Sequence, residues 1–150
     1  MDIDRVGQVY AADITYIPLE TGWCYLVAIM DWYSRYVVAW EVSPTLEALW
    51  CVDTLQKAIK KQKAPEISNT DQGSQFTSNA YVNILKQHDI CISMDGRGRY
   101  LDNIFTERLW RTVKYENVYL RDYQNIDEAT YGLSEYFKFY NTERIHQSLD

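Results

Sequence analysis

The sequence predicts an α/β fold, a mixed five-stranded sheet flanked by helices. Three observations carry that expectation. Three apolar or alternating segments follow one another early, with only tight turns between them. After Ser43-Pro44 the apolar period lengthens from two residues to three and four. Two further short segments, 66–70 and 90–94, are each bracketed by helical stretches.

Each element has a local reason. Residues 9–17 alternate weakly and carry Thr, Tyr and Ile, so they predict a strand with Asp13 in its middle. Glu20-Thr21-Gly22 predicts a turn. The nearly continuous apolar run from Trp23 to Met30 predicts a strand buried on both faces and ending at Asp31. Residues 36–42 predict a third strand, which completes an antiparallel meander. Ser43 as N-cap with Pro44 at the first helical position predicts a helix start. Leu46, Leu49, Trp50, Leu55, Ala58 and Ile59 recur at helical spacing as far as Lys63, and Ala64-Pro65 ends the helix. Residues 66–70 predict a strand that delivers Asp71 at its end. Residues 78–88 predict a second helix with Tyr81, Val82 and Leu85 inward, and residues 90–94 a fifth strand. Gly96 and Gly98 predict a flexible loop over 95–99. A third helix is expected over 103–118, capped by Asp102 or Asn103. The last helix starts at Asn125, which forms a capping-box pattern with Glu128 and precedes an apolar stripe of Ala129, Leu133, Tyr136, Phe137 and Tyr140. Helical crossovers around residues 66–70 make strands one, four and five parallel.

Whole-chain properties bound the function. At 150 residues, 47% hydrophobic and 24% charged, the chain fits one domain with a sizeable core, and thirteen Tyr and five Trp must fill much of it. No apolar run approaches the roughly 20 residues that span a bilayer, and Met1-Asp2-Ile3-Asp4 carries no signal-peptide pattern. Cys24, Cys51 and Cys91 fit neither a disulfide framework nor a metal cluster, so all three read as buried thiols in a reducing, cytoplasmic compartment. The net charge of −6 counts against an unaided DNA binder. The charge is uneven, however: Arg97, Arg99, Arg108, Arg111 and Lys114 make a local basic set around Glu107 and are the candidates for DNA contact.

Three carboxylates carry the functional argument. Asp13 lies in mid-strand, Asp71 follows a strand within a polar stretch, and Glu107 sits at a helix start, with 35 residues separating it from Asp71. Two Asp on neighbouring parallel strands are rigid mounts, and a Glu on a nearby helix completes a set for two Mg²⁺ or Mn²⁺ ions. Two such ions, about 3.5–4 Å apart, suit phosphoryl transfer on nucleic acid. Glu107, Arg111 and Lys114 are spaced to share one helix face. Asp31 reads instead as a strand terminator paired with Arg35, and Asp102 as a helix cap. HExxH, CxxC, Walker, GxGxxG and serine-elbow patterns are absent, which removes zinc hydrolases, P-loop enzymes and dinucleotide enzymes as rivals.

From about Tyr10 onward the chain resembles the catalytic cores of retroviral-integrase-like transposases of bacterial insertion sequences. The resembling pieces occur in order: Ala12-Asp13-Ile14-Thr15-Tyr16-Ile17, Asp31-Trp32-Tyr33-Ser34-Arg35, the stretch from Asp71 to Ser78, Asp102-Asn103 with Glu107, Lys114, and Tyr140-Asn141-Thr142-Glu143-Arg144 continuing to Leu149. Asn69-Thr70 and Leu101 depart from the usual pattern, and neither is a ligand position. The resemblance implies an RNase H-like fold, and Asp13, Asp71 and Glu107 as the metal-binding catalytic triad. It further implies cleavage at transposon ends and attack of a 3′-hydroxyl on target DNA. It also implies a helix-turn-helix region upstream of this chain, which would account for the acidic pI, and an oligomer, since two DNA ends must be handled together. Two other readings share the fold: an inactive transposase remnant that only docks DNA or protein, and a metal-dependent ribonuclease.

Overall fold

The computed structural model describes residues 2–94 and 104–144. Strands β1 (Val9–Leu19), β2 (Gly22–Asp31) and β3 (Val37–Ser43) form the antiparallel meander. Strands β4 (Ile67–Thr70) and β5 (Cys91–Met94) complete a sheet of order β3-β2-β1-β4-β5. Strands β1, β4 and β5 run parallel, because helices supply both crossovers. The mixed five-stranded sheet flanked by helices is therefore the observed architecture.

Strand parity divides the core. Tyr10, Ala12, Val27 and Ile29 face α1 (Ala48–Gln62), the short α2 (Ser74–Thr77) and α3 (Asn79–Gln87), burying Cys51, Leu55, Phe76, Tyr81 and Leu85. Ile17, Leu26, Ala28 and Met30 face α4 (Ile104–Val113) and α6 (Ile126–Phe139), burying Leu109, Trp110, Leu133 and Phe137. From Leu26 to Met30 strand β2 is covered on both sides, which is why that stretch is apolar throughout.

The structure moves several expected boundaries. Ser43 does not cap a helix: it closes β3 opposite Tyr25, and its hydroxyl bonds Thr45 N and O at 3.1 and 2.9 Å. Sheet pairing holds its backbone, so α1 begins only at Ala48, and Leu46 and Leu49 face solvent. The second helix stands where expected, with Ser78 capping α3 by accepting from Tyr81 N, and the short α2 before it was not anticipated. The third helix changes character at Lys114, where a π-helical turn spans Lys114–Val118 and leads into the short α5 (Tyr119–Arg121). That wider turn lets Val113 and Val118 reach the same core. Asn125 caps α6 as expected, accepting from Glu128 N at 2.9 Å, but Glu128 reaches back to Gln124 N instead of the cap's own N–H. Cys24 and Cys51 are buried, and burial pushes their thiols up to about 11 and 12. Cys91 is exposed, contrary to expectation, because the β5 residue faces out at the sheet edge. The loop over 95–99 and the caps Asp102 and Asn103 lie outside the described residues.

Gly132 tests the packing of α6 on the π turn. A Cβ there would overlap the Tyr123 phenol, which donates to Asn117 Oδ1 beneath it. Gly132→Ala should lower stability by about 1–2 kcal/mol in urea denaturation, because overpacking outweighs the roughly 1 kcal/mol gain in helix propensity. Increased stability would contradict this packing.

Candidate functional site

The parallel pairing of β1 and β4 positions the first two carboxylates. Val9, Tyr10 and Ala11 stand opposite Ile67, Ser68 and Asn69. Carrying that register forward brings Asp71 level with Asp13. Strand β4 ends at Thr70, so the sheet opens there, and β1 continues alone on that side. Asp13 and Asp71 line one cleft of about 340 Å³, together with Tyr16, Tyr25, Gln75 and Phe76. The cleft lies beyond the carboxyl ends of parallel strands, the usual place for a ligand in an α/β sheet.

Each carboxylate has an orienting partner. Trp110 Nε1–H donates to Asp13 Oδ2 at 3.0 Å, a bond from α4 to the half-buried middle of β1. Gly73 N–H donates to Asp71 Oδ1 at 2.7 Å. A Cβ at Gly73 would press on that same oxygen, so the turn after β4 favours glycine. Glu107 is exposed, in the first turn of α4 and three residues before Trp110. The spacing sets its backbone on the flank that Trp110 anchors. Among the described residues no three His, Cys, Asp or Glu side chains stand close enough to form a complete cation cage. The structure thus joins Asp13 and Asp71 in one cleft and leaves Glu107 outside its lining. The donors are all carboxylate oxygens, which fit a hard divalent cation.

The basic residues separate. Lys114 Nζ stands over the Tyr16 ring, 4.5 Å from its centre, beside the Asp13 cleft. Burial pushes its ammonium down from the ordinary lysine value. Arg108 and Arg111 are exposed and line a different cavity. Arg111 therefore does not join Lys114 at the carboxylate cleft, although both follow Glu107 at helical spacing. Arg97 and Arg99 lie outside the described residues.

Asp31 is a structural carboxylate. It is fully buried and accepts from Gly7 N at 2.9 Å, Ser34 N at 2.8 Å and Ser34 Oγ at 2.7 Å. Arg35 meets it through the backbone, donating N–H to Asp31 O at 2.8 Å, and its guanidinium donates to Trp32 O. Sequence reasoning missed Trp110 and Tyr16 as parts of the site. The signal for Trp110 was its three-residue spacing from Glu107. Nothing local to Tyr16 pointed to Lys114.

The sequence matches two profiles described as Integrase core domain, one over residues 4–99 and one over residues 88–150. It is 34% identical over 147 residues to the transposase for insertion sequence element IS904 of Lactococcus lactis, covering 96% of this chain and 58% of that protein. The chain thus spans a little over half the length of that relative. Among solved structures, the catalytic core domain of BIV integrase superposes with a TM-score of 0.72 at 18% identity, covering 91% of this chain and 85% of the other. The HTLV-2 integrase catalytic core domain in complex with magnesium gives 0.61 at 19% identity, covering 73% and 68%. The fold is accordingly RNase H-like, as in those integrase cores. Among the described residues no helix is long and apolar enough to cross a membrane.

Trp110→Phe removes the indole donor and keeps an aromatic ring in the core. It should destabilise the fold by about 1.5–3 kcal/mol, the worth of a hydrogen bond to a charged group. Chemical denaturation at neutral pH measures this, and an unchanged midpoint would mean that Asp13 does not depend on Trp110.

Proposed function

The chain belongs to the integrase core domain family, and from that premise we propose that it is the catalytic core of an insertion-sequence DNA transposase. Its reaction would be polynucleotidyl transfer: cleavage at transposon ends, then attack of a 3′-hydroxyl on a phosphodiester of target DNA. The observation that supports this most is the pairing of Asp13 and Asp71 at matched positions across one cleft, beside a helix that carries Glu107.

Asp13, Asp71 and Glu107 would hold two Mg²⁺ or Mn²⁺ ions. The magnesium in the HTLV-2 integrase core supports that choice of cation by likeness of fold. When bound, two such ions supply activation of the attacking oxygen and stabilisation of the leaving one. The protein's own part is positioning. Asp13 is fixed by its strand and by the Trp110 N–H, so its oxygens cannot rotate without breaking that bond. Asp71 is held at the strand end by Gly73. Glu107 stands on the exposed flank of α4 and has rotamer freedom to close on a ligand. Lys114, ordered over Tyr16, sets a cation beside the cleft where a DNA phosphate would lie. Arg97, Arg99, Arg108 and Arg111 would extend this electropositive track along the DNA backbone. A multimer is the expected working form, since two transposon ends are processed together.

Glu107→Gln keeps the size of an exposed side chain and removes its charge. In the full-length enzyme it should reduce Mg²⁺- or Mn²⁺-dependent strand transfer by roughly a thousandfold or more, the scale of a lost catalytic ion, with an unchanged melting temperature. Wild-type-like turnover would overturn the role of Glu107. Cleavage of an RNA–DNA hybrid in place of strand transfer would favour a ribonuclease.

A further inference from the structure

A second cavity, of about 230 Å³, lies on the other flank of α4. Arg108, Arg111 and Thr112 line it from α4, Arg35 from the β2–β3 turn, and Tyr140 and Arg144 from the π turn that follows α6. Four guanidiniums therefore converge, in a chain of net charge −6. Among the described residues no carboxylate lines the cavity. At about 100° per residue, Arg108 and Thr112 point well away from the flank that Trp110 and Lys114 present to Asp13. Arg111, one turn beyond Glu107, stands on the exposed side of the helix between the two clefts.

Like charges brought together repel, and the fold holds these in place with specific contacts. Arg35 occupies the left-handed region at φ 68°, and its guanidinium donates to Trp32 O. Burial chiefly, then the nearby Arg108 charge, lowers the Arg35 guanidinium below its ordinary value. Arg144 Nε donates to Glu116 Oε2 at 2.9 Å, and Tyr136 Oη donates to Glu116 Oε1 at 2.8 Å. The Tyr140 phenol lies within electrostatic reach of both Arg35 and Arg144. Arg35 and Arg144 are held from behind by these contacts, and the side chains of Arg108 and Arg111 are exposed. Glu116 offsets the Arg144 charge, and a bound anion would offset the others. A tetrahedral oxyanion can accept from several guanidinium forks at once.

We propose that this four-arginine cavity is a phosphate site, filled by one backbone phosphate of the DNA; this rests on reading the chain as a DNA-transferring core. The site would hold the duplex across α4 while the scissile phosphate lies at Asp13 and Asp71. It brings together Arg35 and Arg144, which are distant in sequence from the helix they face.

The test is binding in EDTA, so that failure of the cation reading leaves it unaffected. Labelled duplex DNA of arbitrary sequence is titrated with the chain and with the double variant Arg108→Gln/Arg111→Gln over a range of NaCl. Arg121→Gln serves as the charge control. Inorganic phosphate is the second probe, read by thermal shift. The expected result is a loss of roughly tenfold or more in duplex affinity, with the salt slope falling by about one; the control should stay unchanged. Stabilisation by inorganic phosphate that the double variant lacks, with unaltered duplex binding, would keep the phosphate site and assign it to a free anion. Equal behaviour of wild type and variant with both probes would overturn the proposal. If the double variant does not fold, Arg108→Lys, which keeps the charge and loses the fork, should weaken duplex binding with an unchanged salt slope, and wild-type affinity would overturn the proposal.

Discussion

The indole N–H of Trp110 on the carboxylate of Asp13 is the contact on which the rest of the site depends. It joins a helix to the central strand at the one point where that strand carries a charge. Leu109, Val113 and the α6 side chains supply the apolar area that holds α4 against the sheet. The hydrogen bond adds a directional constraint to that packing. Beside it Lys114 reaches Tyr16, while Arg108 and Arg111 line a separate cavity.

The charge distribution then acquires a physical meaning. A protein of net charge −6 has little general attraction for a polyanion. The basic residues on either side of α4 make the exception local. Lys114 stands at the carboxylate cleft, and the arginine cavity lies across the helix.

Much of this was readable in the chain. The strand order followed from the change of apolar period and from the helical crossovers, and the α6 stripe from Ala129 to Tyr140 is buried as its spacing required. That Asp13 and Asp71 would come together was readable because one lies within a well-marked strand and the other just past one. Other features depended on tertiary context. Ser43-Pro44 has the composition of a helix start, yet pairing with Tyr25 keeps Ser43 in the sheet. The π turn at Lys114 has no composition signal; it exists because Val113 and Val118 both find apolar partners. Asp31 looked like a simple strand terminator and proves to be a fully buried hub for Gly7 and Ser34. The convergence of Arg35 and Arg144 on α4 comes from contacts between segments far apart in sequence, which no local pattern encodes.

The most direct test is a crystal structure of the chain after a Mn²⁺ soak, read by anomalous scattering. The account predicts a peak coordinated by Asp13 and Asp71, with the Glu107 carboxylate turned in toward it and the Trp110–Asp13 bond intact. Manganese bound elsewhere, or no peak in the cleft with Glu107 ordered and turned away, would contradict it.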